Sequence, residues 1–444
     1  FPTRRSSDLG MGPQWWGMAR QLLTSEGPFA QVAREIDAIF RPLAGWSLID
    51  ELLRDEAQSR VGSTRVAQTG NFLVQVGLAA ELAALGIRPA ALVGHSVGEV
   101  SAAYLSGMLS LREAVTVSYH RARLQAQQAG TGSMLAVGLP EAAVQARITH
   151  LQGVEIAAVN SPTSVTLAGT TEPLQQLAAE WEQAGVFNRL LQVEVPYHSH
   201  LMDPILPALR DALARLNPQA PQRPLYSTVS GQRVGTEAAP APCPDLWDAD
   251  YWAANVRQPV RFAAALDALV NDGYRGFLEL GPHAVLSGHI REMLSRRGEP
   301  GASVPTLMRQ QPDDASLRAT LAELYALGLL SEAAPPGGLL GPVPHRDLPV
   351  HRFQRVPLWA EVPDLRRDRL GDEGAPVLPG LRTRASQPEW ECDISVGALP
   401  WLHEHVVAGM VLLPGAAYLD AALAAAVAVT GREHPALQDV VFVS

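Results

Sequence analysis

The sequence predicts an α/β fold: a large α/β subdomain interrupted by a small βαββαβ sheet, with a separate unit at the C-terminal end. Three observations predict it. The apolar run Ala90-Ala91-Leu92-Val93 ends at Gly94-His95-Ser96-Val97-Gly98 and passes straight into an apolar helix pattern, a strand–turn–helix step. Residues 133–196 alternate strand and helix patterns in the order β, α, β, β, α, β, a split βαβ unit. Strand and helix patterns then alternate again up to about residue 300, where the composition changes.

Residues 1–9, "FPTRRSSDL", are polar and basic, and the chain then enters "GMGPQWWGMARQLL" abruptly. A soluble α/β domain usually opens on a buried strand, and none is present. Two readings stay open: the nine residues are foreign to the natural protein, or the domain starts before this chain does. "NFLVQVGLAAELAALG" has an apolar stripe at helical spacing and ends in Gly86. The strand and turn at 90–98 follow. "LREAVTVSYHRARLQAQQAG" is a second long helix, ending near Gly130.

In the inserted sheet, "SMLAVGL" is a strand and "PEAAVQARITHL" a helix opened by proline. "VEIAAVNSPTSVTLAG" is a hairpin with Asn160-Ser161-Pro162 at its turn. "TEPLQQLAAEWEQAG" is a helix and "FNRLLQVEV" the last strand. The large subdomain resumes with the helix "LMDPILPALRDALARL", the strands "PLYSTV" and "GFLELG", and the helix "RFAAALDALVNDG" between them. The main domain is thus expected over 10–299. Residues 300–376 hold one helix, "LRATLAELYALGLL", then a Pro/Gly-rich linker, an extended stretch and a solvated charged spacer. The third unit, 377–444, has strand-like pieces and a very apolar helix opened by Pro414. About 65 residues cannot easily form a full core of their own.

Composition excludes several classes. The chain has 444 residues, 47% of them hydrophobic and 18% charged, with a net charge of -10. That length suits two or three domains, and an acidic balance argues against a nucleic-acid partner, which needs a basic face. Cys243 and Cys392, the two cysteines, suggest neither a disulfide scaffold nor a cysteine metal site. No run of about 18 apolar residues predicts a membrane span, and no signal peptide is visible. Cytoplasm is the expected compartment.

The turn at 94–98 carries the chemistry. A serine between glycines at a strand-to-helix step matches the G-x-S-x-G elbow, which exposes a nucleophilic hydroxyl at the tip of a strand. Gly94 and Gly98 are expected to relieve the crowding of so sharp a turn. The bland alternative is a Gly/Ser loop in which Ser96 merely caps a helix. A serine nucleophile needs a base. His198 and His200 in "VEVPYHSHLMDP" follow the last strand of the insert, where the returning chain can face a cleft; a histidine there is often only structural. On the residues alone, either could be the base.

The residues also carry a resemblance. "GMGPQWWGMARQLL", "GHSVGE", "YHRARLQ", "AAVNSPTSVTLAG", "PYHSHLMDP", "YWAANVRQPVRF", "FLELGPHAVL" and "LPVHRFQRVPLW" follow one another as in acyltransferase domains of type I polyketide synthases, the malonyl-CoA:acyl-carrier-protein transacylase family. Together they cover roughly residues 10–361. The resemblance implies an α/β-hydrolase-like large subdomain with a ferredoxin-like insert, and a reaction through an acyl-serine. It implies Ser96 as nucleophile and His198 as general base, because family members continue from that histidine as Ser199, His200, Leu201 and Met202 do here. It implies Arg121 as the clamp on the free carboxylate of the extender unit, with Arg123 as a surface neighbour. The backbone N–H groups of Gln14 and Val97 would receive the oxyanion. His95 is a packing feature beside the serine, and Asn160 and Asn255 are polar wall residues. No metal and no bound cofactor are implied; the substrates are an acyl-CoA and the phosphopantetheine of an acyl carrier protein.

"WLHEHVVAGMVLLPGAAYLDAALAA" resembles the start of the dehydratase domain of the same synthases, a hot-dog fold, with His405, Gly409 and Pro414 on its H-x-x-x-G-x-x-x-x-P pattern. His405 would be a catalytic base only in a complete domain, with His403 a bland neighbour. The implied partners are the carrier protein, an upstream ketosynthase and the downstream domains of one polypeptide. Two rivals stand beside this reading: a serine hydrolase or thioesterase, which the insert argues against, and a non-catalytic docking module. The extender is expected to be malonyl rather than methylmalonyl. Val195-Pro196-Tyr197-His198 matches neither common pattern of the family, and the ring of Tyr197 is expected to crowd the space of an α-methyl group.

Overall fold

A computed structural model describes residues 12–235, 247–330, 378–383 and 385–442. The leader at 1–9, the linker and extended stretch after residue 330 and Cys243 lie outside the described residues. The chain divides into two compact units, residues 1–344 and 345–444.

The first unit opens with α1 (Arg20–Leu23), α2 (Pro28–Ala44), α3 (Leu48–Leu52) and α4 (Thr64–Ala84). α4 is buried on nearly every side from Val66 to Leu78, so it runs through the core rather than over it. Gly77 lets α2 approach: a Cβ there would lie 2.5 Å from the ring of Phe29. Next come β1 (Leu92–Val93), α5 (Gly98–Leu105) and α6 (Leu111–Gln125). A capping box at Ser110 and Glu113 starts α6.

The insert follows as β2 (Ser133–Val137), α7 (Glu141–Ile148), β3 (Val154–Ser161), β4 (Ser164–Gly169), α8 (Thr171–Gln183) and β5 (Asn188–Leu190). Its four strands lie in the order β3-β4-β2-β5, all neighbours antiparallel, as in a ferredoxin-like sheet. Alternation along the strands sends Leu135, Val137, Val165 and Leu167 against α7 and α8. The opposite face carries Met134, Ala157 and Ala168 toward Leu191, Val193 and Tyr197. The last strand is shorter than the expected 187–195. β5 pairs with β2, whose ladder runs out near Met134, and the last bond joins Leu191 N–H to Met134 O. The chain then peels off the sheet toward the large subdomain, bringing residues 194–198 with it.

The large subdomain resumes with α9 (Leu206–Leu213), β6 (Leu225–Tyr226), α10 (Ala249–Arg257), α11 (Phe262–Asn271), β7 (Gly276–Glu279), α12 (Ser287–Arg296), β8 (Ala302–Pro305) and α13 (Asp313–Ala326). β1 runs parallel to β6, and β7 parallel to β8. Asp248 caps α10 through the N–H groups of Asp250 and Tyr251. Trp247, Tyr251 and Trp252, all buried, pack this helix beneath the strand–turn–helix step. The insert is stitched to the large subdomain by a parallel bridge, Ala158 to Val260, and by Arg257, which pairs with Glu155 and Asp203.

The second unit holds two antiparallel pairs, β9 (Leu381–Arg382) with β10 (Trp390–Glu391) and β11 (Val406–Val407) with β12 (Met410–Val411), and then α14 (Gly415–Thr430). Among its described residues the buried apolar side chains are Leu399, Leu402 and Ala417, while Tyr418, Val427 and Val429 of α14 stay exposed. His405 precedes β11, and its Nδ1 lies 2.8 Å from Leu412 O. No described helix is long and apolar enough to cross a membrane.

Candidate active site

Ser96 sits between β1 and α5 with φ +54°, in the left-handed region that side chains rarely adopt. A Cβ on Gly94 would lie 2.2 Å from the Glu99 amide nitrogen, so that glycine is required by the turn. Gly98 is different: a Cβ there meets only Gln75 Nε2, at 3.8 Å. Of the two glycines expected to relieve crowding, Gly94 alone does so. Thr228 Oγ donates to Gly94 O at 3.0 Å and ties the turn to the segment after β6.

Ser96 Oγ lies 2.8 Å from His198 Nε2. The other ring nitrogen, Nδ1, lies 2.9 Å from the backbone carbonyl of Gln258, which can only accept. The proton therefore sits on Nδ1, and Nε2 is left to accept from the serine hydroxyl. Burial, then the charge of Arg121, then His95, push His198 down to about 3. The imidazole is neutral at neutral pH. His200 does not reach the serine; its Nδ1 lies 3.4 Å from Glu155 on the insert.

Arg121 projects from α6 and is 1% exposed. Its Nε donates to Asn255 Oδ1 at 3.0 Å, one Nη to Gln68 at 2.5 Å and to Gln125 at 3.1 Å, and the other to Ser96 Oγ at 2.9 Å. Burial lowers the guanidinium to about 10, which leaves it charged at neutral pH. Arg123 lies on another side of α6, 3.4 Å from His120 Nδ1.

Asn160 accepts at Oδ1, 2.8 Å from His95 Nε2. Burial drives His95 down to about 4, so it too is neutral, and its ring stands edge-on to Phe262. Tyr197 OH is 2.9 Å from Thr64 Oγ, and Thr64 is bonded to Glu194 through both its N–H and its hydroxyl. The phenol is thereby held at α4, with its pKa raised by burial. Gln14 Oε1 accepts from Asn71 at 3.4 Å, and Trp15 beside it donates to Pro282 O. Gln14, Val97, Asn160, Tyr197 and His198 line one cavity of ≈ 340 Å³ with Ser96 in its wall. A cleft of ≈ 560 Å³ in the second unit is lined mainly by apolar residues and one acid, Asp420, with no serine, cysteine or histidine.

Two contributors escape the sequence. Gln258 acts through its backbone carbonyl, which no residue type announces. Glu99, in the first turn of α5, is fully buried beneath the serine. It accepts from Thr228 N–H at 2.6 Å, Tyr251 OH at 2.9 Å and Asn255 Nδ2 at 2.7 Å. Burial raises it to about 7. The signal was available: an acid directly after the elbow, in an otherwise apolar helix start. Among the described residues no group of acids, histidines and cysteines is arranged to hold a metal.

Residues 9–329 match the family model for the acyl transferase domain, and 376–444 match that for the polyketide synthase dehydratase domain. The chain is 38% identical over 436 residues to phthioceranic/hydroxyphthioceranic acid synthase of Mycobacterium tuberculosis, covering 96% of this chain and 20% of that protein. It is 36% identical to the pikromycin polyketide synthase component PikAII of Streptomyces venezuelae, covering 94% of this chain and 11% of that protein. The chain thus spans about a fifth or less of these relatives. The acyltransferase domain from module 8 of the salinomycin polyketide synthase superposes with TM-score 0.67 at 34% identity, covering 72% of this chain and 74% of that one. The acyl transferase domain of SpnD, in complex with 2-(pent-4-yn-1-yl)malonyl, gives 0.65 at 32%, covering 73% and 76%. By these matches the chain belongs to the acyltransferase domains of type I polyketide and fatty-acid synthases, an enzyme class that moves extender units from coenzyme A to carrier-protein phosphopantetheine, and it continues into the start of a dehydratase domain.

Proposed function

We propose that Ser96, His198 and Arg121 load a malonyl unit from malonyl-CoA and pass it to the phosphopantetheine thiol of an acyl carrier protein. One observation carries this reading: a single serine oxygen touches both a neutral imidazole, at 2.8 Å, and a buried guanidinium, at 2.9 Å, and the serine and imidazole line one cavity. His198 Nε2 takes the hydroxyl proton as Oγ attacks the thioester carbonyl. Charge on the carbonyl oxygen meets the backbone N–H groups of Gln14 and Val97. The C–S bond breaks, the imidazolium returns its proton to the coenzyme A sulfur, and the acyl-serine remains. The carrier thiol then attacks, gives its proton to His198, and the Oγ–acyl bond breaks with the proton returned to Oγ. Gln258 holds the ring tautomer throughout. Asn160 acts from the cavity wall, through His95, while Asn255, expected there too, lies buried behind it and acts through Arg121.

The carboxylate of the extender pairs with Arg121, drawing one Nη away from Ser96. The malonyl-type ligand of the SpnD domain supports this chemical class. For malonyl over methylmalonyl the support is Tyr197, whose hydroxyl bond to Thr64 fixes the ring as a wall; one crowded methyl costs about 1–3 kcal/mol. We further take 10–299 as the transferase domain, with its insert at 133–196, 300–376 as helix and linker, and 377–444 as hot-dog-type dehydratase sequence with His405 as its base. The large subdomain is read as α/β-hydrolase-like. The partners are the carrier protein, a ketosynthase and further domains of one polypeptide, in the cytoplasm.

Intact-mass measurement after mixing with equal malonyl-CoA and methylmalonyl-CoA tests the reading. A malonyl adduct that is absent in Ser96→Ala is expected. No adduct on folded protein overturns the transferase mechanism, and a dominant methylmalonyl adduct overturns only the extender choice.

A further inference from the structure

Arg121 is held by an asparagine whose own orientation must be decided by something else. Asn255 offers Oδ1 to Arg121 Nε at 3.0 Å and Nδ2 to Glu99 at 2.7 Å, with a longer contact from Nδ2 to Ser96 O at 3.3 Å. An amide rotated by half a turn would place N–H donors against the guanidinium. Oε2 of Glu99, which already accepts from Tyr251 OH, turns an acceptor toward Asn255, so Glu99 favours one orientation over the other. Its two oxygens are already committed: one accepts from Thr228 N–H, the other from Tyr251 OH and Asn255.

We propose that Glu99 is a positioning residue for substrate selection, setting the amide of Asn255 so that Arg121 is aimed at the nucleophile and the extender carboxylate. This rests on the reading of Arg121 as the carboxylate clamp. Glu99 does not touch the substrate; it acts through Asn255.

Glu99→Gln is the nearly isosteric test. The Thr228 N–H keeps the new amide oxygen on its side. The new NH₂ then faces Asn255, whose amide must turn its oxygen toward residue 99 and its Nδ2 toward Arg121 Nε. Malonyl loading is expected to fall at least tenfold, while acetyl loading from acetyl-CoA changes less than threefold. With Arg121→Ala already present, Glu99→Gln should change malonyl loading less than twofold. A merely structural role would lower both substrates together, alongside the melting temperature, and would add to the Arg121→Ala loss; either result overturns the proposal. If Glu99→Gln does not fold, Asn255→Ala cuts the same route, and an unchanged malonyl-to-acetyl ratio there overturns it equally. Should Arg121→Ala itself leave that ratio unchanged, the clamp reading fails and this proposal with it. A ratio moved by Arg121→Ala but not by Glu99→Gln removes the proposal alone.

Discussion

The pH dependence of loading tests the electrostatics of His198 directly. An ordinary imidazole with pKa 6.5 is only about 3% neutral at pH 5, so a serine–histidine pair of that kind would lose about 30-fold in kcat/KM between pH 7.5 and 5. In this site burial and the Arg121 charge push His198 down to about 3. At that pKa the ring is still about 99% neutral at pH 5. Loading should therefore change less than twofold over the range. Acetyl-pantetheine is the suitable donor, because it carries neither carboxylate nor phosphate to titrate, and quenched-flow mass measurement of acetyl-Ser96 gives the rate. A limb with its midpoint between pH 6 and 7 in the unmodified protein would refute the argument that this imidazole is desolvated and repelled. Stability must be followed alongside. His198 and His95 are depressed, so the stability they contribute is complete above pH 6.5 and lost as pH falls toward 3 to 4. Each costs about 2 kcal/mol between pH 7 and 5. Glu99 is raised to about 7, so its contribution is complete below the ordinary carboxylate range and lost as pH rises through 7. It offsets about 2 kcal/mol over the same interval. A modest net loss at pH 5 is expected, with the domain still folded.

Five substitutions follow. His198→Ala should slow loading roughly 10²–10⁴-fold, the range of a lost general base, whereas His200→Ala, which removes a half-exposed pair with Glu155, should stay within threefold; equal losses would undo the choice between them. Arg121→Ala should cost malonyl loading about 1.5–3 kcal/mol, while acetyl loading holds or rises, as read by competition on the intact mass. Gly94→Ala forces a Cβ within 2.2 Å of backbone and should abolish the adduct or the fold, but Gly98→Ala, whose Cβ makes one ordinary contact at 3.8 Å, should keep at least half of the loading rate.

What could be read in advance follows from how local each feature is. The elbow and the βαββαβ order are contained in contiguous stretches, and both appear in the structure as Ser96 at φ +54° and the β3-β4-β2-β5 sheet. Where β5 ends was not legible, because that depends on the length of its partner β2. Two histidines separated by one residue look alike as residue types. The family resemblance alone picks His198, and the structure turns that ring to Ser96 and the other to Glu155. Gly98 sits in the motif but meets nothing that a methyl group would disturb. Glu99 does not stand out in the sequence, because an acid in a first helical turn usually serves the helix dipole. Its burial, and its bonds to Tyr251 and Asn255, arise from α10, more than 150 residues away.

The placement of Arg121 implies more than a carboxylate grip. Its positive charge works against the chemistry twice: it donates to the serine oxygen that must attack, and it disfavours the imidazolium that must form. A malonyl carboxylate pairing with the guanidinium relieves both effects, while a plain acyl chain relieves neither. Selection on the proposed reading therefore extends from binding into the chemical step. Interactions that strengthen only as the transition state forms raise kcat rather than merely lowering KM. The same logic explains why acetyl loading should hold or rise in Arg121→Ala: removing the charge does for every acyl group what the carboxylate does for the right one.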